Sequence, residues 1–424
     1  MGTSTPKDGT SRRAFLKTTA VGGAAFAGTL AMPYYARFAL ANTGTVHIGA
    51  SLPLTGAYEK VSRVYRDGYD FFTKIYGGKM NIAGETRDVK LTIYDDENNA
   101  SRAAQLTEKL ISDDKVDLVL GTYGTDTILA QGSILQKYGR VLLQSGAASR
   151  RVDEEIGGHT AFTLINRSST YGIGAVNFLG SLNPRPKTLA VITMDDPVYH
   201  EIGQSVKDRC KALGIELIEE IVLPMNAQDF RPAALKLKAA GDIDIVYNTG
   251  WDLICIKLVE EMSALGVNPK AFVGGHLATN PVVRETLGSK MNGVIGTSVW
   301  LPQFPYKDDK FGSALAFAEK FKEGYGYIPT YHGAVSYVLP WLYQEVLKNA
   351  DPADPFNQDF LRKSLAEFNQ QDTIWGPISF DKTGRIARDS APAVQFVGDP
   401  IEPKIIAPTD MAESKGVYPK PAWS

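Results

Sequence analysis

The sequence predicts an α/β protein made of two doubly wound lobes, each with a parallel sheet covered by helices. The first observation is alternation, because nine short apolar runs from Thr45 onward are separated by helix-like stretches. The second is that these runs are almost continuously apolar, as in parallel strands buried on both faces. The third is length, since 424 residues exceed one domain of about 150 residues. Strand–helix alternation of this kind builds right-handed βαβ units.

Nine strands and several amphipathic helices follow from this pattern. The predicted strands are residues 45–54, 89–97, 116–124, 141–147, 188–196, 215–224, 243–250, 271–278 and 293–300. Residues 100–112 form a predicted helix with one apolar stripe, made of Ala103, Leu106, Leu110 and Ile111. Residues 252–266 form a similar helix that ends at Gly266.

The pattern breaks near Asn166, where the first set of units ends and a second begins. The last third is mixed. It contains two long helices at about 309–325 and 331–349, and residues 373–387 form a predicted hairpin around Lys382-Thr383-Gly384.

The first 41 residues form a predicted twin-arginine signal peptide. Arg12 and Arg13 precede an apolar stretch at 18–30, and Ala39-Leu40-Ala41 offers a cleavage site. The apolar stretch is short and broken by glycines and by Pro33, which favours cleavage over a membrane anchor. No later segment is long enough to span a bilayer. We therefore expect a periplasmic protein that is exported by the twin-arginine route and not embedded in the membrane.

Composition excludes several classes of protein. With 44% hydrophobic residues and a net charge of -2, neither disorder nor a nucleic-acid partner is indicated. The two cysteines, Cys210 and Cys255, lie in predicted helices, where a small buried apolar role is common, and a disulfide between them stays open.

Motifs for catalysis or cofactor binding are missing. There is no G-x-G-x-x-G, P-loop, Cys-x-x-Cys or G-x-S-x-G pattern, and no two of the five histidines are four residues apart. We expect Asp95-Asp96-Glu97 to cap the next helix and stay solvated, rather than bind a metal. The sequence therefore predicts a protein that is not an enzyme and has no cofactor or metal.

Polar and aromatic residues instead follow the predicted strands. Loops 121–127 and 144–149 offer hydroxyls and free backbone N–H groups that suit a carboxylate, although plain helix capping explains them too. In the second half, Tyr199 and Trp251 follow strands, as does His276. Since ligands of α/β sheets bind at the carboxyl ends of strands, two such lobes predict a clamp around a small ligand.

These segments, in their order and spacing, resemble the type I periplasmic solute-binding proteins of ABC importers, and above all the leucine/isoleucine/valine-binding proteins. The resemblance runs from Thr45 to Phe396 and is carried by IGASLPLTGAY, TIYDDENNASRAAQLTEKL, LLQSGAAS, AVITMDDPVYHEIGQSVKD, DIVYNTG and GPISFDKTG. It implies lobe 1 from residues 42–165 and 297–375, and lobe 2 from residues 166–296 and 376–424. It also implies three hinge crossovers, near Asn166, Gly296 and Gly376, which let the lobes close on a ligand.

The resemblance also implies which residues bind the ligand. The carboxylate-binding groups fall on Thr125, Ala147 and Ser149, and the aromatic wall falls on Tyr199 and Trp251. Tyr58 lies in the first strand–helix loop, which often lines the cleft. The acid that pairs with an amino acid's ammonium falls on His276, and its companion acid falls within residues 167–170, where no acid exists.

Two interpretations of His276 remain open. Another acid, Asp126 or Asp252, pairs with the ammonium of an amino acid, and His276 is incidental. Alternatively the ligand is an aromatic or other organic acid without an ammonium, because a buried ammonium without a carboxylate partner is costly.

We therefore expect an ABC-importer binding protein that delivers a small carboxylate ligand to a membrane permease and acts as a monomer. A periplasmic sensor for a membrane receptor is the alternative, and an exported enzyme is a third. Ligand identity, affinity and oligomeric state are not determined by the sequence.

Overall fold

The computed structural model describes residues 44–276 and 280–423, which contain two sheets with helices packed around each of them. The predicted signal peptide, residues 1–41, lies outside the described residues. Within the described part of the chain, no helix is both long enough and apolar enough to cross a membrane.

The first sheet has six strands in the order β2-β3-β1-β4-β5-β6. Its strands are β1 (Val46–Leu52), β2 (Lys79–Ile82), β3 (Glu85–Asp95), β4 (Leu118–Leu120), β5 (Leu142–Gln144) and β6 (Ala161–Thr163). All pairs are parallel except β2 with β3, which form a hairpin at the sheet edge. Every residue of β1 is buried, as expected for a central strand covered on both faces.

The second sheet has seven strands in the order β15-β14-β11-β10-β9-β7-β8. Its strands are β7 (Thr188–Met194), β8 (Glu216–Leu223), β9 (Ile245–Asn248), β10 (Ala271–Val273), β11 (Ile295–Thr297), β14 (Ala393–Val397) and β15 (Glu402–Ala407). Strands β7 to β11 are parallel, whereas β14 and β15 are antiparallel additions. A short third ladder pairs β12 (Asn369–Gln370) with β13 (Ile378–Ser379).

Twelve α-helices connect and cover the strands of the described chain. They are α1 (Glu59–Ile75), α2 (Ala100–Ser112), α3 (Thr125–Lys137), α4 (Arg150–Glu155), α5 (Ile173–Ser181), α6 (Pro197–Ala212), α7 (Arg231–Ala239), α8 (Asp252–Ala264), α9 (Pro281–Leu287), α10 (Ala314–Tyr325), α11 (Tyr331–Leu347) and α12 (Gln358–Ala366). Two 3-10 turns span Ser168–Thr170 and Gly288–Met291.

Helix α11 joins the last third of the chain to the first sheet. Almost all of its residues are buried, and it packs along α1. The two helices approach closely at Gly68, where an added Cβ would lie 1.9 Å from the Ser336 hydroxyl. This close approach positions the start of α11 next to the loops that follow β1 and β4.

All nine predicted strands are present, and the two predicted long helices appear as α10 and α11. The expectation that each run is buried on both faces is wrong for β3, where Arg87 alone is buried, and for β8, where only Ile221 is buried. The reason is that β8 is an edge strand, paired with β7 alone. The predicted hairpin is confirmed by an antiparallel bridge between Phe380 and Ile386, and Arg385 bridges Thr163 at the end of β6.

Cys210 and Cys255 are both buried and free, so no disulfide joins them. Burial raises the pKa of each thiol to about 12. They therefore act as small apolar residues inside their helices.

Candidate functional site

A cavity of about 1100 Å³ lies where strand-to-helix loops of both sheets meet. Tyr58 and Tyr123 reach it from the loops after β1 and β4 of the first sheet. Tyr199 and Trp251 reach it from the segments after β7 and β9 of the second sheet. This is the edge at which open α/β sheets bind ligands, because the carboxyl ends of the strands present their loops there.

The cavity wall is rich in aromatic rings that pack against one another. The ring centroids of Tyr58 and Tyr123 are 5.3 Å apart, and those of Tyr199 and Trp251 are 5.9 Å apart. Helix α11 adds Tyr331 and His332, whose ring centroids are 3.9 Å apart. Rings held by neighbouring rings offer rigid faces on which a flat ligand can stack.

The tyrosines of this wall and the two histidines near it are uncharged at neutral pH. Burial raises the pKa values of Tyr123, Tyr199 and Tyr331 above the ordinary value of 10.0. Desolvation, together with the nearby His276, lowers the pKa of His332 to about 3. Desolvation lowers the pKa of His276 to about 4. Both imidazoles are therefore neutral, and neither supplies a positive charge for a carboxylate.

The predicted binding residues divide into two groups. Tyr58, Tyr199 and Trp251 line the cavity, whereas Thr125, Ala147, Ser149 and His276 are not part of its lining. The ring of His276 packs against Tyr171 with centroids 5.0 Å apart.

The loop that the resemblance assigns to the ligand carboxylate is engaged within the protein. The backbone N–H of Ala147 donates to the Gln144 side chain at 3.1 Å. The Ser149 hydroxyl donates to Oε1 of Glu201 at 3.0 Å, and the Arg150 N–H lies 3.4 Å from Oε2. The Ser168 hydroxyl also donates to Glu201. A carboxylate from α6 thus occupies the start of α4 and ties the second sheet to the first.

A buried guanidinium fixes the same loop from behind. Arg385 is fully buried and donates to the carbonyl oxygens of Ala147 at 3.2 Å and of Ser149 at 3.0 Å. Its charge is balanced by Asp153 at 2.6 Å, which also pairs with Arg167 at 2.6 Å. Because a buried charge is tolerated only when it is paired and hydrogen-bonded, this network holds the loop rigidly.

The expectation that the acidic cluster stays solvated is wrong for Asp96. This residue is fully buried and accepts hydrogen bonds from the Thr122 hydroxyl at 2.5 Å and the Asn98 N–H at 3.0 Å. Desolvation raises the pKa of Asp96, and Asn99 rather than the cluster caps α2. Asp96 therefore braces the loop that carries Tyr123. The residues that the structure describes contain no cluster of three metal-binding side chains.

One of the two acids that the sequence offered for an ammonium lies at the cavity. Asp252 lines the wall beside Trp251 and accepts a hydrogen bond from the Asn280 side chain at 2.9 Å. Asp126 is exposed, lies outside the lining and pairs with Arg151 at 2.9 Å. The cations of the wall are Lys60, Lys322 and Arg284, and Arg284 pairs with Glu402.

Four residues of this region were missed by the sequence reasoning. Tyr123 lies inside loop 121–127, for which the sequence predicts binding through hydroxyls and backbone N–H groups but not through an aromatic ring. Tyr331 and His332 start a helix far along the chain, and Glu201 lies one turn into α6. Local pattern gives no signal for the last three, because tertiary packing brings them to the site.

Residues 45–399 match the sequence profile of a family described as periplasmic binding protein. The chain belongs to the periplasmic binding protein family. A protein from Pseudomonas aeruginosa called "Amino acid binding protein" is 22% identical over 339 residues, which are 80% of this chain and 87% of that protein. Proteins of this family bind ligands and do not catalyse reactions, so at the level of the family the chain is a binding protein.

Solved structures confirm the predicted fold of two lobes and the resemblance to branched-chain amino acid binding proteins. One is LivJ of Streptococcus pneumoniae, a branched-chain amino acid transporter substrate-binding protein in complex with isoleucine. It aligns with a TM-score of 0.70 and 18% identity, and the alignment covers 86% of this chain and 100% of that chain. Another is an ABC transporter solute-binding protein from Rhodopseudomonas palustris in complex with 3,4-dihydroxybenzoic acid. It aligns with a TM-score of 0.71 and 19% identity, and the alignment covers 87% of this chain and 98% of that chain. At these identities the likeness establishes the fold and leaves the ligand of this chain undetermined.

Proposed function

We propose that this protein is the periplasmic solute-binding component of an ABC importer, which encloses a small carboxylate-bearing ligand and delivers it to a membrane permease. The observation that carries the proposal is the cavity of about 1100 Å³ whose aromatic wall comes from both sheets. A ligand that contacts both walls favours the closed arrangement, which is how hinge-bending binders shift their equilibrium.

In this proposal two lobes move relative to each other. Lobe 1 consists of residues 42–165 and 297–375, and lobe 2 consists of residues 166–296 and 376–424. The chain crosses between them near Asn166, Gly296 and Gly376. Strands β1 to β6 belong to lobe 1, and β7 to β11 belong to lobe 2, apart from Thr297 at the end of β11. Closure moves Tyr199 and Trp251 toward Tyr58.

The ligand class that the cavity favours is an aromatic or other organic acid. Rings surround the space, and Lys60 and Lys322 of its lining can pair with a carboxylate. An aromatic body stacks on Tyr199 and Trp251 with the offset or edge-to-face geometry that ring pairs prefer.

An amino acid is the second candidate, and Asp252 is the observation that favours it. This acid lines the cavity, is held by Asn280, and offers a charge partner for an ammonium. Asp252→Asn keeps the shape of the side chain and the contact with Asn280. It should abolish binding of an amino acid and leave binding of an unaminated acid nearly unchanged.

The first test is thermal unfolding of the purified chain with aliphatic amino acids, aromatic acids, dicarboxylates and amides. A ligand present at 100 times its Kd stabilises the folded state by about 2.7 kcal/mol, which is a measurable shift in Tm. Trp251→Ala should remove the shift, and Trp341→Phe, at a position of α11 outside the cavity lining, should keep it. If no carboxylate of the panel shifts Tm, the proposed ligand class is wrong.

Delivery to a permease is tested separately. Ligand-loaded protein should stimulate ATP hydrolysis by the cognate importer in vesicles, whereas a protein that acts only as a sensor binds the same ligand without stimulation. Replacing Arg12 and Arg13 by lysine should block export if the twin-arginine route is used.

A further inference from the structure

We infer that the ligand enters this cavity ring first, that Tyr123 and Tyr331 read hydroxyl groups on its ring, and that its carboxylate stays at the exposed lysines of the wall. The inference rests on the proposed function and specifies the ligand class as a hydroxylated aromatic acid. It reverses the orientation that the resemblance implies, in which the carboxylate is held at Thr125, Ala147 and Ser149.

The first observation is a set of tyrosine hydroxyls that the protein itself leaves open. Within the described residues, the hydroxyls of Tyr123, Tyr199 and Tyr331 form no hydrogen bond, whereas the hydroxyl of Tyr65 donates to the Ser145 carbonyl at 2.9 Å. A phenolic hydroxyl at a partly apolar site ordinarily finds a partner. All three open hydroxyls belong to residues that line the cavity, so a ligand can supply that partner.

These hydroxyls are also close to one another. The rings of Tyr123 and Tyr331 both pack against His332, with centroids 5.6 Å and 3.9 Å away, and Tyr199 lines the same cavity. The pKa of Tyr199 is raised by burial and then by Tyr123. Hydroxyls from both sheets therefore converge on one region, and each can both donate and accept a hydrogen bond. Such a region suits a group that also donates and accepts, which a ring hydroxyl does.

His332 adds a neutral partner at the same place. It is 8% exposed, and its Nδ1 lies 3.3 Å from the Thr330 hydroxyl. Its Nε2 has no hydrogen-bond partner within the described residues. Its ring packs against Tyr123 and Tyr65 with centroids 5.6 Å away in each case. A buried polar atom without a partner is unusual, and it favours a ligand with a hydrogen-bonding group on its ring.

The second observation is that the expected carboxylate position is already taken. Glu201 accepts hydrogen bonds from Ser149 and Ser168, and its own negative charge repels a second carboxylate. The buried part of the wall offers no free cation, because Lys60 and Lys322 are exposed, Arg284 is paired with Glu402, and His332 is neutral. A ligand carboxylate placed there would lose its hydration without gaining a charge partner.

The third observation is the position of the free cations of the wall. Lys60 and Lys322 both line the cavity and are exposed, and neither forms an ion pair with a described residue. Arg284 is engaged by Glu402. The exposed part of the wall therefore offers two unpaired lysines, which share the lining with the acids Asp252, Glu285 and Glu402, whereas the buried part is aromatic. These lysines are the groups of the described lining that can pair with a carboxylate at one end of a ligand, while its hydroxylated ring lies in the aromatic part.

Two probes that differ only in their hydroxyls test the inference by isothermal titration calorimetry of the purified chain: benzoate and 3,4-dihydroxybenzoate. We expect 3,4-dihydroxybenzoate to bind about tenfold tighter or more, because each hydroxyl supplies a missing partner. Tyr331→Phe and Tyr123→Phe should each weaken 3,4-dihydroxybenzoate by about three- to tenfold and change benzoate by less than about twofold. Both variants should fold, because the lost hydroxyl has no partner within the described protein.

The matched control is Tyr138→Phe, which removes a hydroxyl outside the cavity lining. It should change neither probe. Lys60→Gln combined with Lys322→Gln should weaken both probes by a similar factor, and the loss should shrink at high salt.

The outcomes separate the inference from the proposed function. Equal binding of the two probes, or an unchanged preference in Tyr331→Phe and Tyr123→Phe, overturns the inference while the importer function stands. Binding of amino acids, with no binding of either aromatic acid, also overturns the inference while the importer function stands. If neither these acids nor any other carboxylate binds, the ligand class of the proposed function falls as well.

Discussion

Acidification should destabilise the fold through two histidines that the structure keeps neutral. His332 is 8% exposed, and desolvation and the nearby His276 lower its pKa to about 3. Desolvation lowers the pKa of His276 to about 4. The unfolded chain has ordinary histidines with a pKa of about 6.5. As the pH falls through 6.5 the unfolded state therefore gains protons that the folded state does not, and stability declines.

The size of the effect follows from linkage. Between about pH 7.5 and pH 5.5, each histidine whose folded pKa lies below 5 removes about 1.4 kcal/mol from the free energy of unfolding. Two such residues give about 3 kcal/mol, and the loss continues below pH 5.5 toward the folded pKa values. The window stays above the range in which ordinary carboxyl groups titrate.

The assay is urea-induced unfolding followed by circular dichroism at several pH values, without ligand. His332→Asn should remove about half of the pH dependence, whatever it does to the stability at pH 7.5. His159→Asn, at an exposed histidine, serves as the control and should leave the dependence intact. A free energy of unfolding that stays constant from pH 7.5 to 5.5 would refute the reasoning.

Three further predictions concern packing and the loop behind the cavity. Gly68→Ala should lower the free energy of unfolding by about 1–3 kcal/mol, because the new Cβ would lie 1.9 Å from the Ser336 hydroxyl of the facing helix. The control is Gly324→Ala, where a new Cβ has nothing within 4 Å and should not destabilise the protein. Chemical denaturation compares the two variants. Arg385→Gln should cost about 3–5 kcal/mol in the same assay, because Asp153 loses a buried partner. Glu201→Gln should cost about 1–3 kcal/mol and raise amide hydrogen exchange at residues 149–151, and unchanged exchange would contradict the bridge.

The sequence predicts the sheets well where burial itself dictates the residues. Most of the nine predicted strands are apolar because helices cover them, so their pattern is local and visible, whereas the short parallel strand β6 was missed. Strands β14 and β15 were missed because their existence depends on distant partners: β14 pairs with β11 across about a hundred positions, and β15 contains Pro403. Strand β8 was found, but its exposure depends on being at the edge, which a pattern along one strand does not reveal.

The candidate site was only partly predictable for a related reason. Tyr58, Tyr199 and Trp251 follow strands directly, and the carboxyl ends of parallel strands meet at one edge, so position along the chain indicated position in space. Tyr331 and His332 reach the cavity because α11 packs on α1, which no local pattern encodes. The contact between Glu201 and Ser149 spans 52 positions and joins two sheets, so the occupied loop could be recognised only in three dimensions.

The distribution of indole rings has a practical consequence for spectroscopy. The chain has five tryptophans, and four of them are at most 8% exposed: Trp300, Trp341, Trp375 and Trp423. Trp251 is the partly exposed one, and it lies in the cavity wall beside Tyr199. We expect its emission to respond to water at the wall, whereas Trp300, which also lines the cavity, is fully buried and the other three lie outside the lining. Comparing the unsubstituted chain with Trp251→Phe isolates that emission, so the protein carries an intrinsic optical reporter for screening unlabelled compounds.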